Sequence, residues 1–313
     1  MTLHPQAQAF LDYLKSLGGV PIHTLSPEKN RTGMNYLSKK MSLAAQPVAN
    51  MQDRVIPVQD GEIKLRIYTP TGKGPFPILV YFHGGGWVMG DLEVVDAPLR
   101  ALTNGAQTVV VSVDYRLAPE HKFPTAVNDC YLATKWVSEN ARLLGGDAGR
   151  VAVCGESAGG NLAAVVSLMA RDRGCPSLCF QVLIYPITDI SREYPSESKF
   201  GGFFLSGEDM RYFENHYLRT DEDRQNMFVS PLLARDLRGL PPALVVTAGY
   251  DPLHDQGKVY ADRLKEAGVD VTYYCYEDMI HGFLGFAGIM DRGKDLIELM
   301  ARVLRSKNLL NRR

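Results

Sequence analysis

Residues 155 to 159 read Gly-Glu-Ser-Ala-Gly, a serine with a glycine two positions away on each side. An apolar run, Val151–Cys154, precedes this motif, and Leu162, Val165, Val166 and Met169 follow it at helical spacing. A serine on a sharp strand-to-helix turn carries its hydroxyl above a sheet and beside a helix N-terminus, a setting suited to attack on an acyl carbon. The turn is tight enough that side chains two residues before and after the serine would collide, and Gly155 and Gly159 remove the collision. Ser157 is therefore the candidate nucleophile. A glycine-rich turn with a bystander serine is the alternative, and it leaves the preceding strand and following helix unexplained.

Acyl transfer builds negative charge on a carbonyl oxygen, so a serine nucleophile needs amide donors fixed around that oxygen. The run His83-Gly84-Gly85-Gly86-Trp87 ends a strand candidate at 78–82 and brings three residues without Cβ, which lets backbone amides approach closely. A phosphate-binding loop would instead carry GxxxxGK[ST] or GxGxxG, and this loop has neither. The serine also needs a base, and the base needs an acid to orient it. Asp251 follows the strand candidate 243–248 and His281 follows 271–276, both on loops at strand carboxyl ends where active-site groups gather in open α/β sheets. The order Ser, Asp, His along the chain is that of the hydrolases built on this turn. Asp251 before Pro252 also suits a helix N-cap, a role compatible with holding a histidine. Asp255 reads as a supporting or surface carboxylate.

Glu156 adjoins the nucleophile, but a tight turn points neighbouring side chains apart, so it is expected to support the site from behind by bonding to nearby loops such as that of His83. Trp87, Phe203, Phe204 and Phe283 could line an acyl or alcohol pocket, and core packing is an equal alternative for each phenylalanine. The segment Asp114–Glu120, DYRLAPE, mixes charges in the manner of a loop held by ion pairs.

Positioning such residues requires a sheet. Strand candidates fall at 55–58, 63–68, 78–82, 108–113, 151–154, 179–185, 243–248 and 271–276. Several are continuous apolar runs, the mark of strands buried on both faces, and helical patterns separate the later ones. This alternation predicts a doubly wound, mostly parallel sheet of eight strands flanked by helices. Asp60-Gly61 between the first two strands predicts an antiparallel hairpin. Residues 1–50 carry helical spacing at Phe10, Leu11, Leu14 and Leu17 and a weaker helix over 27–45, with no strand. Residues 190–230 interrupt the alternation and are too long for a plain connection, with a helix starting at Ser206. These two segments read as the parts of a helical cap over a catalytic domain formed by 51–189 and 231–313.

With 34 basic and 35 acidic residues in 313, the charge is balanced and no basic face for nucleic acid is expected. Five cysteines without a CxxC pair argue against a disulfide framework or a thiolate metal site, and read as reduced, mostly buried residues. The N-terminus lacks a signal-peptide pattern and no stretch is apolar enough to span a membrane, so a cytoplasmic protein is expected. The chemistry calls for no cofactor and no metal.

Taken together, HGGGW (83–87), DYRLAPE (114–120), GESAGG (155–160), DPLHDQG (251–257) and HGF (281–283) resemble the bacterial hormone-sensitive lipase family of esterases, over roughly residues 50 to 300. The resemblance implies an α/β-hydrolase fold and cleavage of short- to medium-chain carboxylic esters through an acyl-serine. It favours Asp251 over Asp255 as the acid, and assigns the oxyanion donors to the amides of Gly85, Gly86 and Ala158. It also implies a two-part cap, and a homodimer through the edge strand 271–276. Glu156 departs from the family's commoner Asp, which bears on subgroup and acyl preference rather than on the chemistry. Two alternatives accompany this reading. One is a hydrolase-fold ligand receptor without turnover, although relatives of that kind typically lack the base and His281 is present. The other is an amidase or peptidase of the same fold.

Overall fold

The structure is a computed structural model that describes residues 2–306. Its centre is one eight-stranded sheet in the order β1-β2-β4-β3-β5-β6-β7-β8. β1 (Asn50–Val58) and β2 (Gly61–Thr69) form the expected hairpin, closed at Asp60 with φ 59°. β2 is antiparallel to β4 as well, and every pair from there on is parallel. These strands are β3 (Phe76–Phe82), β4 (Val109–Asp114), β5 (Gly146–Glu156), β6 (Phe180–Ile184), β7 (Ala243–Tyr250) and β8 (Val271–Ile280). β8 ends the sheet, so among the described residues one of its edges has no strand partner.

Side chains on a strand alternate between faces, and the central strands supply a core on each side. Ile78, Val80 and Phe82 of β3 enter one core while Leu79 and Tyr81 enter the other. The first core is covered by α4 (Thr125–Glu139), α5 (Ala158–Arg173) and α8 (His254–Glu266). The second is covered by α3 (Asp96–Ala106) and α9 (Asp291–Ser306), which pack on each other, and by the N-terminal helix α1 (Pro5–Ser16). α5 is buried without a break from Ala158 to Ala170, which holds the turn before it rigid from below. α3 and α9 are helices beyond those expected from the sequence.

α2 (Pro27–Met41) stops before residue 45, where the sequence pattern had suggested its end. The 190–230 segment forms α6 (Pro195–Phe200), α7 (Gly207–Tyr217) and a short 3-10 turn at Asp221–Gln225. Ser206 and Asp209 make a reciprocal capping box at the start of α7, at 3.0 and 3.1 Å. The other oxygen of Asp209 accepts from the His23 amide at 3.0 Å, tying this segment to the N-terminal one. The expectation of mostly buried cysteines is corrected: Cys130 and Cys154 are buried, but Cys175 is exposed and Cys179 and Cys275 are intermediate. Cys175 lies in the connection between α5 and β6. Among the described residues no helix is long and apolar enough to cross a membrane.

Candidate active site

Ser157 joins β5 to α5 at φ 55° and ψ −119°, a conformation a residue with a Cβ adopts only when its surroundings impose it. The imposition is visible in the backbone. The Ser157 amide donates to the Ile184 carbonyl at 2.9 Å, at the end of the neighbouring β6. The glycines around it act as the sequence required, although the obstacle is partly a different one. A Cβ on Gly155 would lie 2.1 Å from the Gly159 carbonyl oxygen, whereas one on Gly159 would lie 2.0 Å from the Phe82 carbonyl on adjacent β3. The elbow is thus pressed against the strand that delivers the His83 loop.

Sheet order accounts for the remaining convergence. β7 and β8 are neighbours, so Asp251, just past β7, and His281, just past β8, emerge side by side. His281 Nδ1 lies 2.8 Å from Asp251 Oδ2, and His281 Nε2 lies 2.9 Å from Ser157 Oγ. Asp251 Oδ1 accepts from the Leu253 amide at 2.8 Å, so this carboxylate turns the chain toward α8 and holds the imidazole together. All three side chains are buried or nearly so, with Asp251 fully enclosed. Asp255 faces elsewhere: its Oδ2 accepts from the Ser196 amide at 2.9 Å and its Oδ1 pairs with His254, which joins α6 to α8.

The loop after β3 runs beside Ser157 because β3 and β5 are paired. Gly85, Gly86 and Trp87 have φ of 111°, 61° and 61°, which curls the loop over the elbow. Among the described residues no group accepts from the amides of Gly85, Gly86 or Ala158, so all three donors are available to a bound oxygen. His83 is buried beneath the loop, stacked on Tyr115 at 4.3 Å, with Nδ1 2.8 Å from the Gly84 carbonyl; burial holds its imidazole below the ordinary histidine value. Its own carbonyl accepts from the Tyr115 hydroxyl at 2.8 Å, and Arg116 clasps buried Asp129 at 2.7 Å, so the DYRLAPE segment is a structural brace as its charges suggested.

Glu156 is buried behind the nucleophile, accepting from the Tyr185 hydroxyl at 2.8 Å and standing 3.5 Å from the Gly84 amide. Tyr185 was not singled out from sequence. It lies just past β6, and its ring meets the His281 imidazole at 62° with centroids 4.9 Å apart; burial, with the Glu156 charge beside it, keeps its hydroxyl well above the ordinary tyrosine value. A position immediately after a central parallel strand is the signal that could have found it.

A cavity of about 1010 Å³ opens above these residues, walled by both segments outside the sheet. Phe203 and Phe204 line it, together with Phe213 and Met34. Trp87 reaches it with only a sliver of surface, since its indole is stacked on Tyr217 at 4.2 Å. Phe283 does not belong to the wall, which corrects the expectation that it lines the pocket. Gly282, with φ 77°, turns the chain back, and the Phe283 ring is enclosed in the core against Tyr185 and Tyr276.

Comparison with known proteins bears on this site. A family model described as the α/β hydrolase fold matches residues 79–285. An arylesterase of Saccharolobus solfataricus is 40% identical over 91% of this chain and 93% of its own length. An ethyl acetate hydrolase of Pseudomonas putida is 34% identical over 97% of this chain and 99% of its own. Among solved structures, an ester hydrolase from the metagenome of Lake Arreo, complexed with a bipyridine phosphonate derivative, superposes with a TM-score of 0.94 at 41% identity, covering 97% of this chain and 99% of that one.

Proposed function

This chain belongs to the α/β-hydrolase family, in its hormone-sensitive-lipase-like esterase branch, and from that premise we propose that it hydrolyses short- to medium-chain carboxylic esters through an acyl intermediate on Ser157. The family and the esterase relatives make it a carboxylic ester hydrolase, and they favour ester cleavage over the receptor and amidase alternatives. What carries the residue assignment is the continuous relay from Asp251 Oδ2 through His281 to Ser157 Oγ, at 2.8 and 2.9 Å.

In this reading His281 Nε2 takes the proton of Ser157 Oγ as the oxygen attacks the ester carbonyl. Asp251 holds the ring with its proton on Nδ1 and stabilises the imidazolium that forms. The carbonyl oxygen, now an anion, is received by the amides of Gly85, Gly86 and Ala158, none of which has an acceptor among the described residues. His281 then protonates the departing alkoxide. Water enters, gives its proton to His281, and releases the acid by the same steps in reverse order. The aromatic and aliphatic wall suits an uncharged substrate whose acyl or alcohol part is apolar.

The test is a series of p-nitrophenyl esters from acetate to palmitate, measured with the native protein and with Ser157→Ala. Rates are expected to be highest between two and about eight acyl carbons, and to vanish in the variant while its fold is unchanged. Turnover by Ser157→Ala would remove that residue from the nucleophile's role. A maximum at twelve carbons or more would remove the chain-length assignment.

A further inference from the structure

Two of the three amides that would receive the oxyanion, those of Gly85 and Gly86, lie on a loop whose conformation is not self-supporting, since Trp87 is a non-glycine residue in the left-handed region. α7, more than a hundred residues away in sequence, lies directly on this loop. Phe213 and Tyr217 are one turn apart on the same face of α7. The Phe213 ring lies against the Cα of Gly86 so closely that a Cβ there would fall 2.3 to 2.7 Å from three ring carbons. The Tyr217 ring is parallel to the Trp87 indole, 4.2 Å away with 5° between planes. The other side of the loop is held by α2. Arg31 donates from Nε to the Val88 carbonyl at 2.8 Å and from Nη2 to the Ala118 carbonyl at 3.0 Å, while pairing with Glu120. Ala118 in turn donates to the Trp87 carbonyl at 2.9 Å.

We infer that α7 is a positioning element for the oxyanion loop, and that Phe213 sets the place of the Gly86 amide by flat contact with its Cα. The segments outside the sheet therefore do more than enclose a substrate: the donor array is in register only while α7 is seated. This inference rests on the serine-esterase reading of the site. Phe213 also lines the cavity, so its removal has two separable consequences. Lost wall area weakens substrate binding and appears in KM. A displaced Gly86 amide weakens only the transition state and appears in kcat.

Phe213→Ala and Phe213→Leu separate the two. The substrate is p-nitrophenyl acetate, whose acyl group is too small to need the wall, and the inhibitor is a short trifluoromethyl ketone, which adds to the serine and places an oxyanion in the same amides. Removing one oxyanion donor outright typically costs 10²- to 10³-fold in kcat, so displacing one is expected to cost roughly 10- to 100-fold. We expect Phe213→Ala to lose that factor in kcat with KM within about threefold, and inhibitor affinity to fall by the same factor. Phe213→Leu keeps most of the volume without the flat ring and should fall between, at less cost to folding. Both variants are assayed well below their own melting temperatures, so that a foldable fraction is read. A kcat within twofold of native in the folded variants would overturn the inference, as would a loss confined to KM or a kcat loss that inhibitor affinity does not follow. Absence of turnover by the native protein would instead overturn the esterase reading, and this inference with it.

Discussion

Asp251→Asn leaves shape and size unchanged and alters only which atoms of the side chain can accept. The two oxygens of Asp251 have separate partners, the Leu253 amide and His281 Nδ1, each at 2.8 Å. Asparagine has one oxygen for these two places. With its oxygen on the Leu253 amide, its NH2 faces Nδ1, the ring must carry its proton on Nε2, and that proton points at Ser157 Oγ, so His281 cannot act as base. With the amide flipped, the useful tautomer returns, but the NH2 opposes the buried Leu253 N–H, at a cost of about 1–3 kcal/mol. The competent orientation is thereby reduced roughly 5- to 150-fold. Even that orientation lacks the anion that stabilises the imidazolium, and losing a charge-assisted hydrogen bond costs about 1.5–3 kcal/mol, roughly another 10- to 150-fold. Together the two effects predict a fall in kcat of about 10²- to 10⁴-fold, near 4 kcal/mol at its centre. The assay is kcat on p-nitrophenyl butyrate, with melting temperature to show that the fold is kept. Asp255→Asn is the control, because Asp255 faces the Ser196 amide and not the imidazole. A folded Asp251→Asn within tenfold of native, or an Asp255→Asn with the larger loss, would refute the assignment of the acid.

Two further expectations concern the surroundings of the site. Glu156→Ala strands the buried Tyr185 hydroxyl and the Gly84 amide, so unfolding by urea should show a loss of about 1–3 kcal/mol, with a several-fold fall in kcat; unchanged stability would mean that the Glu156–Tyr185 bond contributes nothing. Glu197 in α6, whose carboxylate accepts from the Tyr194 amide at 3.0 Å, is pushed up to about 7 by partial burial, with Glu214 and Glu193 adding to the rise and Arg211 opposing it. Its folded value therefore exceeds its unfolded one, so the fold keeps a proton that the unfolded chain has released between pH about 4.5 and 7, and stability declines as pH rises through that window. Glu197→Gln removes this contribution, so the melting temperature of the variant minus that of the native protein should grow from pH 5 to pH 8; a difference that stays constant would contradict the raised value.

The triad candidates could be read from the sequence because each occupies a position defined locally, the residues just after a strand. Sheet order then does the rest, setting β7 beside β8 and β3 beside β5. Nothing local distinguishes Phe283 from Phe204. One is returned to the core by the left-handed turn at Gly282, the other faces the cavity, and the difference lies in a backbone angle and in distant neighbours. α9 carries a signal that the sequence analysis left unused, since Leu296, Ile297, Met300, Val303 and Leu304 form an apolar stripe with helical period, whereas α3 carries Pro98 and a polar end that mask its shorter stripe. The contact of Phe213 with Gly86 had no sequence signal at all. It joins residues 127 positions apart through an absence of side chain, and a glycine needed for its φ of 61° looks the same in a sequence as a glycine needed to admit a ring. Chemistry placed by strand ends is therefore readable from one chain, while the contacts that tune it pass between segments whose pairing only the folded molecule reveals. The Glu156 position belongs to both classes. Its neighbourhood to Ser157 is written in the sequence, but its partner Tyr185 comes from the next strand across, so its effect on the esterase is set by packing rather than by the motif that contains it.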